Sequence, residues 1–347
     1  LAKYRYKDWR GKTINSTKRG FKTKKEASEW ERNFLVLKAG DLEMTLPEFV
    51  KLYEADKLPR LKESTKLSKR NIIETKLLVD FKNKKMCDIK PSDIVNWQNE
   101  LLSYRNPKTA KPYSTSYLQS MHTQLSSIFN HACKFYNLSR NPANIAGNMR
   151  GPKGKEMQIW TKDEYKRFSA SLISDPIAYH AIEVLYWTGM RKGEMLALTK
   201  ADFNFNEQTV TVNKTYHRIK GRDIITPTKT DKSNRTITLP DSLCNEMLDY
   251  LSKLYGLRDD ERVFPLIPSA VNTIMKRGIR LAGLKHIRVH DLRHSHVSLL
   301  IDMGFTPLAI AQRVGHESIE VTYRYAHLFP NVQEEVAAQL DDLKNAS

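Results

Sequence analysis

The sequence predicts a mainly α chain with small β-sheets, an α+β fold split into several domains, and three observations carry that expectation. Apolar residues recur at spacings of three and four from Thr45 to about Ile145, the period of an amphipathic helix. Strict alternation is confined to short stretches near the N-terminus and between Thr209 and Leu239. At 347 residues the chain outgrows one core, since domains usually hold about 100–200 residues.

The elements follow in order. Tyr4, Tyr6 and Trp9 alternate, Arg10-Gly11-Lys12 reads as a turn, and Thr13 to Phe21 resumes in extended style. Thr23-x-x-Glu26 is a capping-box pattern, and Ala27, Trp30, Phe34 and Leu37 follow at helical spacing to Gly40. Aromatic side chains on so small a sheet serve either as its core or as a DNA-reading face, with equal weight. Helices are expected at 45–57, 64–80, 91–103 and 114–137, the last with an apolar stripe of Tyr117, Met121, Leu125, Ile128 and Ala132. Such a stripe is core. Asn141-Pro142 breaks the pattern, and 149–158, with two glycines, a proline and the basic Arg150, Lys153 and Lys155, reads as a linker. Thr161-x-x-Glu164 opens the next helix and Ile177 to Trp187 forms another. Thr209–Val212, Ile224–Thr226 and Arg235–Leu239 alternate as strands, and helices run on to the C-terminus.

Lys and Arg number 57 against 39 Asp and Glu, a formal charge of +18. For a chain without a long apolar run this favours a polyanionic partner, most often nucleic acid. The charge falls within foldable segments, and Lys57, Arg60, Lys62, Lys66, Lys69 and Arg70 are candidates for phosphate contacts, although helical charge runs are usually only solvated faces. The basic linker can cross DNA in the same way. Cys87, Cys133 and Cys244 lie far apart, suggesting neither a zinc module nor a disulfide framework and fitting a reducing cytoplasm. No apolar run of about eighteen residues or signal segment occurs, so no membrane role is expected.

Four strings carry the chemistry: Thr-Gly-Met-Arg-Lys-Gly-Glu (188–194), Thr-Lys-Thr-Asp-Lys-Ser-Asn-Arg (228–235), His-Asp-Leu-Arg-His (290–294), and 315–327 with His316 and Tyr325. Arg191 follows a turn that ends an apolar helix, where its planar fork of donors suits phosphate oxygens and Glu194 can hold that fork. His290 and Arg293 share one face of a helix start. His290 and His294 have a metal-compatible spacing, but two histidines do not close a coordination sphere and Arg293 would repel a cation. A second arginine points to an anion. Tyr325, set among polar sequence neighbours, can attack phosphorus if a base and positive charge help remove its proton, because an unperturbed phenol has a pKa near 10. Tyr323 competes with it.

Together these strings resemble the catalytic signature of the tyrosine recombinases, the phage-integrase family, over essentially residues 45–330. The resemblance maps the family's residues onto Arg191, Lys229, His290, Arg293, His316 and the nucleophile Tyr325. The Thr-x-x-Tyr-x-His frame selects Tyr325 over Tyr323, and the Thr-Lys-Thr context selects Lys229 over Lys232. It implies a helical core-binding domain over 41–148 and a mixed α/β catalytic domain over 159–330 closing on a duplex as a clamp, with a C-terminal tail at 331–347 for protomer contacts. Residues 1–40 are similar to the arm-site-binding domain of lambda-type and transposon integrases, with its first strand expected to be missing.

The expected reaction is attack by Tyr325 on a DNA phosphate to give a 3′-phosphotyrosyl bond and a free 5′-hydroxyl. Arg191 and Arg293 stabilise the non-bridging oxygens, Lys229 protonates the leaving oxygen, His290 assists proton removal, and His316 donates to the phosphate. No cofactor or metal is expected. Partners implied are double-stranded DNA at core-type and arm-type sites, a homotetramer that passes through a Holliday junction, and DNA-bending or directionality factors. Integration or excision of a phage or conjugative transposon in a bacterial cytoplasm is the expected setting. The alternatives are a type IB topoisomerase-like enzyme, which the arm-like segment disfavours, and a non-catalytic architectural DNA-binding protein.

Overall fold

The computed structural model describes residues 1–7, 13–21, 23–38, 42, 44–149, 157–228, 233–323 and 325. The chain divides into two compact units, Leu1–Gly154 and Lys155–Ser347.

In the first unit β1 (Ala2–Lys7) and β2 (Thr13–Lys18) pair antiparallel. Helix α1 (Lys24–Lys38) begins where the Thr23 hydroxyl accepts the Glu26 N–H at 3.1 Å. Trp30 of α1 meets the rings of Tyr4 and Phe21 at 5.0 and 5.5 Å, so these aromatics form the local core. Trp9 and the Arg10–Lys12 turn lie outside the described residues.

Helices α2 (Leu46–Lys57), α3 (Glu63–Ile72), α4 (Leu78–Phe81), α5 (Pro91–Ser103), α6 (Thr115–Phe135) and α7 (Pro142–Ala146) enclose one apolar core. The expected stripe of α6 is that core: Met121, Leu125, Ile128 and Ala132 are fully buried, with Tyr117 packed at the edge. The helix expected over 64–80 is one rod with a wide turn inserted at Ile73–Leu77, which joins α3 to α4. The Trp97 indole N–H donates to the Lys76 carbonyl there at 3.3 Å, the kind of tertiary contact that steadies an extra helical residue.

The second unit opens with α8 (Lys162–Ala170), capped reciprocally: Thr161 N–H donates to Glu164 at 2.8 Å and the Thr161 hydroxyl accepts Glu164 N–H at 3.2 Å. The apolar α9 (Pro176–Thr188) and the one-turn α10 (Lys192–Met195) follow. Strands β3 (Phe203–Asn204), β4 (Thr209–Val212) and β7 (Arg235–Thr238) form an antiparallel sheet, and β5 (Lys214–Ile219) pairs with β6 (Arg222–Pro227) as a separate hairpin. Strand β5 is not among the expected strands, because of its six residues only Tyr216 is buried and its alternation is masked by Lys214, His217 and Arg218. Helices α11 (Asp241–Ser252), α12 (Pro268–Ala282), α13 (Asp291–Asp302), α14 (Pro307–Val314) and α15 (Ile319–Tyr323) complete the described chain. Among the described residues no helix is long and apolar enough to cross a membrane.

Candidate active site

The site forms where the ends of α9, α13 and α14 meet. Helix α9 stops at Gly189, whose left-handed φ of 63° lets its N–H reach back to Leu185 carbonyl at 3.1 Å. A Cβ there would also approach the His296 ring to 2.5 Å, so both backbone and packing demand glycine. The chain turns at once into α10 and leaves Arg191 at its N-cap.

Glu194 holds Arg191 in place. Its carboxylate accepts the Arg191 N–H at 2.9 Å and Nη1 at 2.8 Å, while Arg191 Nη2 donates to the Gly315 carbonyl at 3.0 Å. The same carboxylate takes Nη2 of the buried Arg235 at 2.8 Å. Burial pushes the Glu194 carboxyl up, but the charges and hydrogen bonds of Arg235 and Arg191 outweigh it and leave the group below its ordinary range. Arg235 further donates to the carbonyls of Arg313 and Ser233 at 3.0 and 3.1 Å. It thereby joins α10, β7 and the end of α14.

Arg293, on the first turn of α13, is 3% exposed. Its Nη1 donates to Gly189 and Val314 carbonyls at 2.8 and 2.5 Å, and its Nη2 is buried without a partner. Burial, then Arg191, lower its pKa to about 9, which still leaves it charged at neutral pH. His290 occupies the N-cap position of α13, and its pKa is lowered by burial and by Arg293. His316 follows the left-handed Gly315, bonds Thr322 Oγ1 through Nδ1 at 2.7 Å, and is pushed down to about 3 by burial, Arg293 and Arg191. The result is a pair of arginines flanked by neutral histidines, an arrangement suited to an oxyanion.

Tyr325 is 2% exposed and packs on Val297, Ile301, Ile310 and Val314, whereas Tyr323 is 53% exposed. The polar neighbours in its sequence are therefore not its neighbours in space. Its phenol is hydrogen-bonded to Nδ1 of His294.

The structure thus brings together Arg191, Glu194, His290, Arg293, His316 and Tyr325. Lys229 lies outside the described residues, on the 229–232 connection between β6 and β7, as do Arg150, Lys153 and Lys155. In the helical unit Lys57, Arg60 and Lys62 are exposed. Lys66 pairs with Glu63 at 3.3 Å, Lys69 donates to Gln124 at 2.7 Å, and Arg70 pairs with Glu54 at 3.2 Å. Two site residues escaped the sequence reading. Arg235 closes the quoted 228–235 string with no local feature to mark it, and the spacing of His294 from His290 points in sequence only to a metal. Among the described residues no group of three or more His, Cys, Asp or Glu side chains gathers as a metal site would.

Residues 158–331 match the phage integrase family, 45–102 its N-terminal SAM-like domain, and 1–36 an arm DNA-binding domain. The chain belongs to the phage integrase family. This integrase is 32% identical over 260 residues to the ICEBs1 integrase of Bacillus subtilis, covering 70% of each chain. It is 26% identical over 293 residues to a putative prophage phiRv2 integrase of Mycobacterium tuberculosis, covering 82% of this chain and 75% of the relative. Among solved structures the Tn1549 transposon integrase bound to a circular intermediate DNA superposes with a TM-score of 0.72 at 17% identity, over 86% of this chain and 99% of that one. A lambda integrase tetramer bound to a Holliday junction gives 0.61 at 17% identity, over 95% and 93%. At those identities the structures speak for the fold. The integrase is a tyrosine recombinase, an enzyme of site-specific recombination in mobile elements.

Proposed function

We propose that Arg191, Lys229, His290, Arg293, His316 and Tyr325 are the catalytic set of this recombinase, with Glu194 as support. The observation that carries this reading is the buried Arg293 guanidinium, whose Nη1 is held by the Gly189 and Val314 carbonyls while its Nη2 has no partner. A buried donor without a partner costs about 1–3 kcal/mol, more when charged, and a phosphate oxygen repays it.

Tyr325 attacks one DNA phosphate in line, forming the 3′-phosphotyrosyl bond and releasing a 5′-hydroxyl. Arg191 and Arg293 bind the two non-bridging oxygens, and their charge takes the place of a metal ion. His290 and His316, both held neutral, donate to the same oxygens. Lys229 protonates the leaving 5′-oxygen. The phenol proton passes to a histidine of α13. A partner strand's 5′-hydroxyl reverses the step, so bond energy is kept and no cofactor is consumed.

Residues 1–40 serve arm-type sites, 41–148 core-type sites, 149–158 the linker, and 159–330 catalysis. Lys57, Arg60 and Lys62 project from the helical unit as phosphate contacts, joined by the linker's basic residues. Exchange between two duplexes requires four such sites, hence a homotetramer on DNA that forms a Holliday junction, assisted by bending or directionality factors in a bacterial cytoplasm. Of the expected sources, the phiRv2 likeness supports a prophage.

The test is incubation with nicked duplexes carrying the element's ends, read on denaturing gels. A protein–DNA adduct present in wild type and Tyr323→Phe but absent in Tyr325→Phe is expected. Adduct formation by Tyr325→Phe would overturn the assignment. Relaxation of supercoils by a monomer would favour a topoisomerase, and specific binding with no adduct from any variant would favour an architectural protein.

A further inference from the structure

The Tyr325 phenol shares its hydrogen bond with His294, a residue one helical turn beyond His290 on α13. The two imidazoles meet edge to face, with centroids 4.9 Å apart. At the other ring nitrogen, Nε2 of His294 lies 3.9 Å from Oδ1 of Asp291. Asp291 is buried and fixed by Arg288, whose backbone N–H donates at 2.7 Å and whose Nη2 donates at 2.8 Å. A carboxylate facing Nε2 favours the proton on that nitrogen, which leaves the Nδ1 lone pair for the phenol.

We propose that His294, and not His290, accepts the Tyr325 proton during DNA cleavage, a role that rests on the recombinase reading. As the Tyr325 oxygen–phosphorus bond forms and the phosphorus–5′-oxygen bond breaks, the phenol proton moves to His294 Nδ1. The 5′-oxygen takes its proton from the donor assigned to Lys229. Asp291 stabilises the resulting imidazolium, which returns the proton when a 5′-hydroxyl attacks and the phenol leaves.

The surroundings time this basicity. In the free chain burial, His290, Arg288 and Arg293 hold His294 at about 4 against the pull of Asp291, and His316 stands in the same field. A phosphodiester bound between Arg191 and Arg293 adds a negative charge to that field and raises the imidazole's proton affinity. The base is strongest when its substrate is present.

Single-turnover adduct formation on nicked duplexes decides the matter, with wild type, His294→Asn, His294→Gln, His290→Asn and Tyr325→Phe compared across a pH series. His294→Asn should bind DNA normally yet cleave about 10²–10⁴-fold more slowly, the usual worth of a positioned base. Placing 3-fluorotyrosine at position 325, whose phenol is more acidic, should recover part of that loss. The acid limb of the pH profile should persist in His290→Asn and vanish in His294→Asn. Wild-type rates in His294→Asn, or a loss that the fluorinated phenol does not repair, would overturn the proposal, the latter leaving only a packing role. Absence of any Tyr325-dependent adduct in wild type would instead overturn the recombinase reading beneath it. Should both His294 variants lose DNA binding, nitrogen-15 spectra of the wild-type histidines remain decisive: an Nε2–H tautomer supports the proposal and an Nδ1–H tautomer refutes it.

Discussion

Three histidines of the catalytic unit, His294, His296 and His316, are held neutral at about 4, 3 and 3 by burial first, and then by His290 for the first and by neighbouring arginines for the other two. Their unfolded value is near 6.5. As pH falls below that value the unfolded chain takes up protons that the native chain refuses, so stability present at neutral pH is lost towards the folded values. His296, almost wholly buried, contributes a loss of about 2 kcal/mol by pH 5, while His294 and His316, nearer solvent and better screened, contribute less. Denaturant midpoints of the full chain should therefore drop between pH 7 and pH 5, before most carboxylates titrate, and equal midpoints would show that the histidines are not buried as drawn. At this scale the sequence was partly legible. Arg191, Glu194, Arg293 and His316 were readable because each sits in a short string with its own turn or helix start. The bond between His294 and Tyr325 spans 31 positions, and no local pattern announces a contact of that range.

Elements with a clear period were also legible. The helix expected at 45–57 is Leu46–Lys57 and the one at 91–103 is Pro91–Ser103, because Thr45 with Glu48 and Pro91 mark their starts and the apolar stripe sets their length. The wide turn at Ile73–Leu77 and strand β5 were not legible, since one depends on Trp97 reaching the Lys76 carbonyl and the other on pairing with β6. Likewise nothing local shows that Lys69 and Arg70 turn to Gln124 and Glu54. The end of α9 offers a sharper test. Gly189→Ala forces a side chain into left-handed backbone and 2.5 Å from His296, which should cost more than about 1 kcal/mol. Because Gly189 also presents its carbonyl to Arg293, adduct formation should fall further than stability alone accounts for. Unchanged melting of that variant would refute the packing argument.

On the scale of the whole molecule, +18 of formal charge supplies the long-range attraction for DNA, whereas the role proposed for the tail is local. Residues 331–347 lie outside the described residues. The catalytic unit carries an apolar cavity of about 440 Å³ lined by Leu299, Leu300, Met303, Phe305 and Ile310 among others, with Met303 and Phe305 61% and 47% exposed. The sequence of the tail predicts an amphipathic helix with Val336, Leu340 and Leu343 at helical spacing, and on the proposed reading its apolar side meets such a surface on a neighbouring protomer. Deleting 331–347 should spare binding to a single core site while lowering tetramer yield and unbalancing cleavage, as gel-shift and adduct assays on the same duplex will register. No change in either would remove the tail from assembly. The burial of Tyr325 has a consequence of its own. With the phenol turned in to His294 and not out to solvent, a phosphodiester on the proposed reading meets it only once seated between Arg191 and Arg293, so DNA merely brushed in passing is left whole.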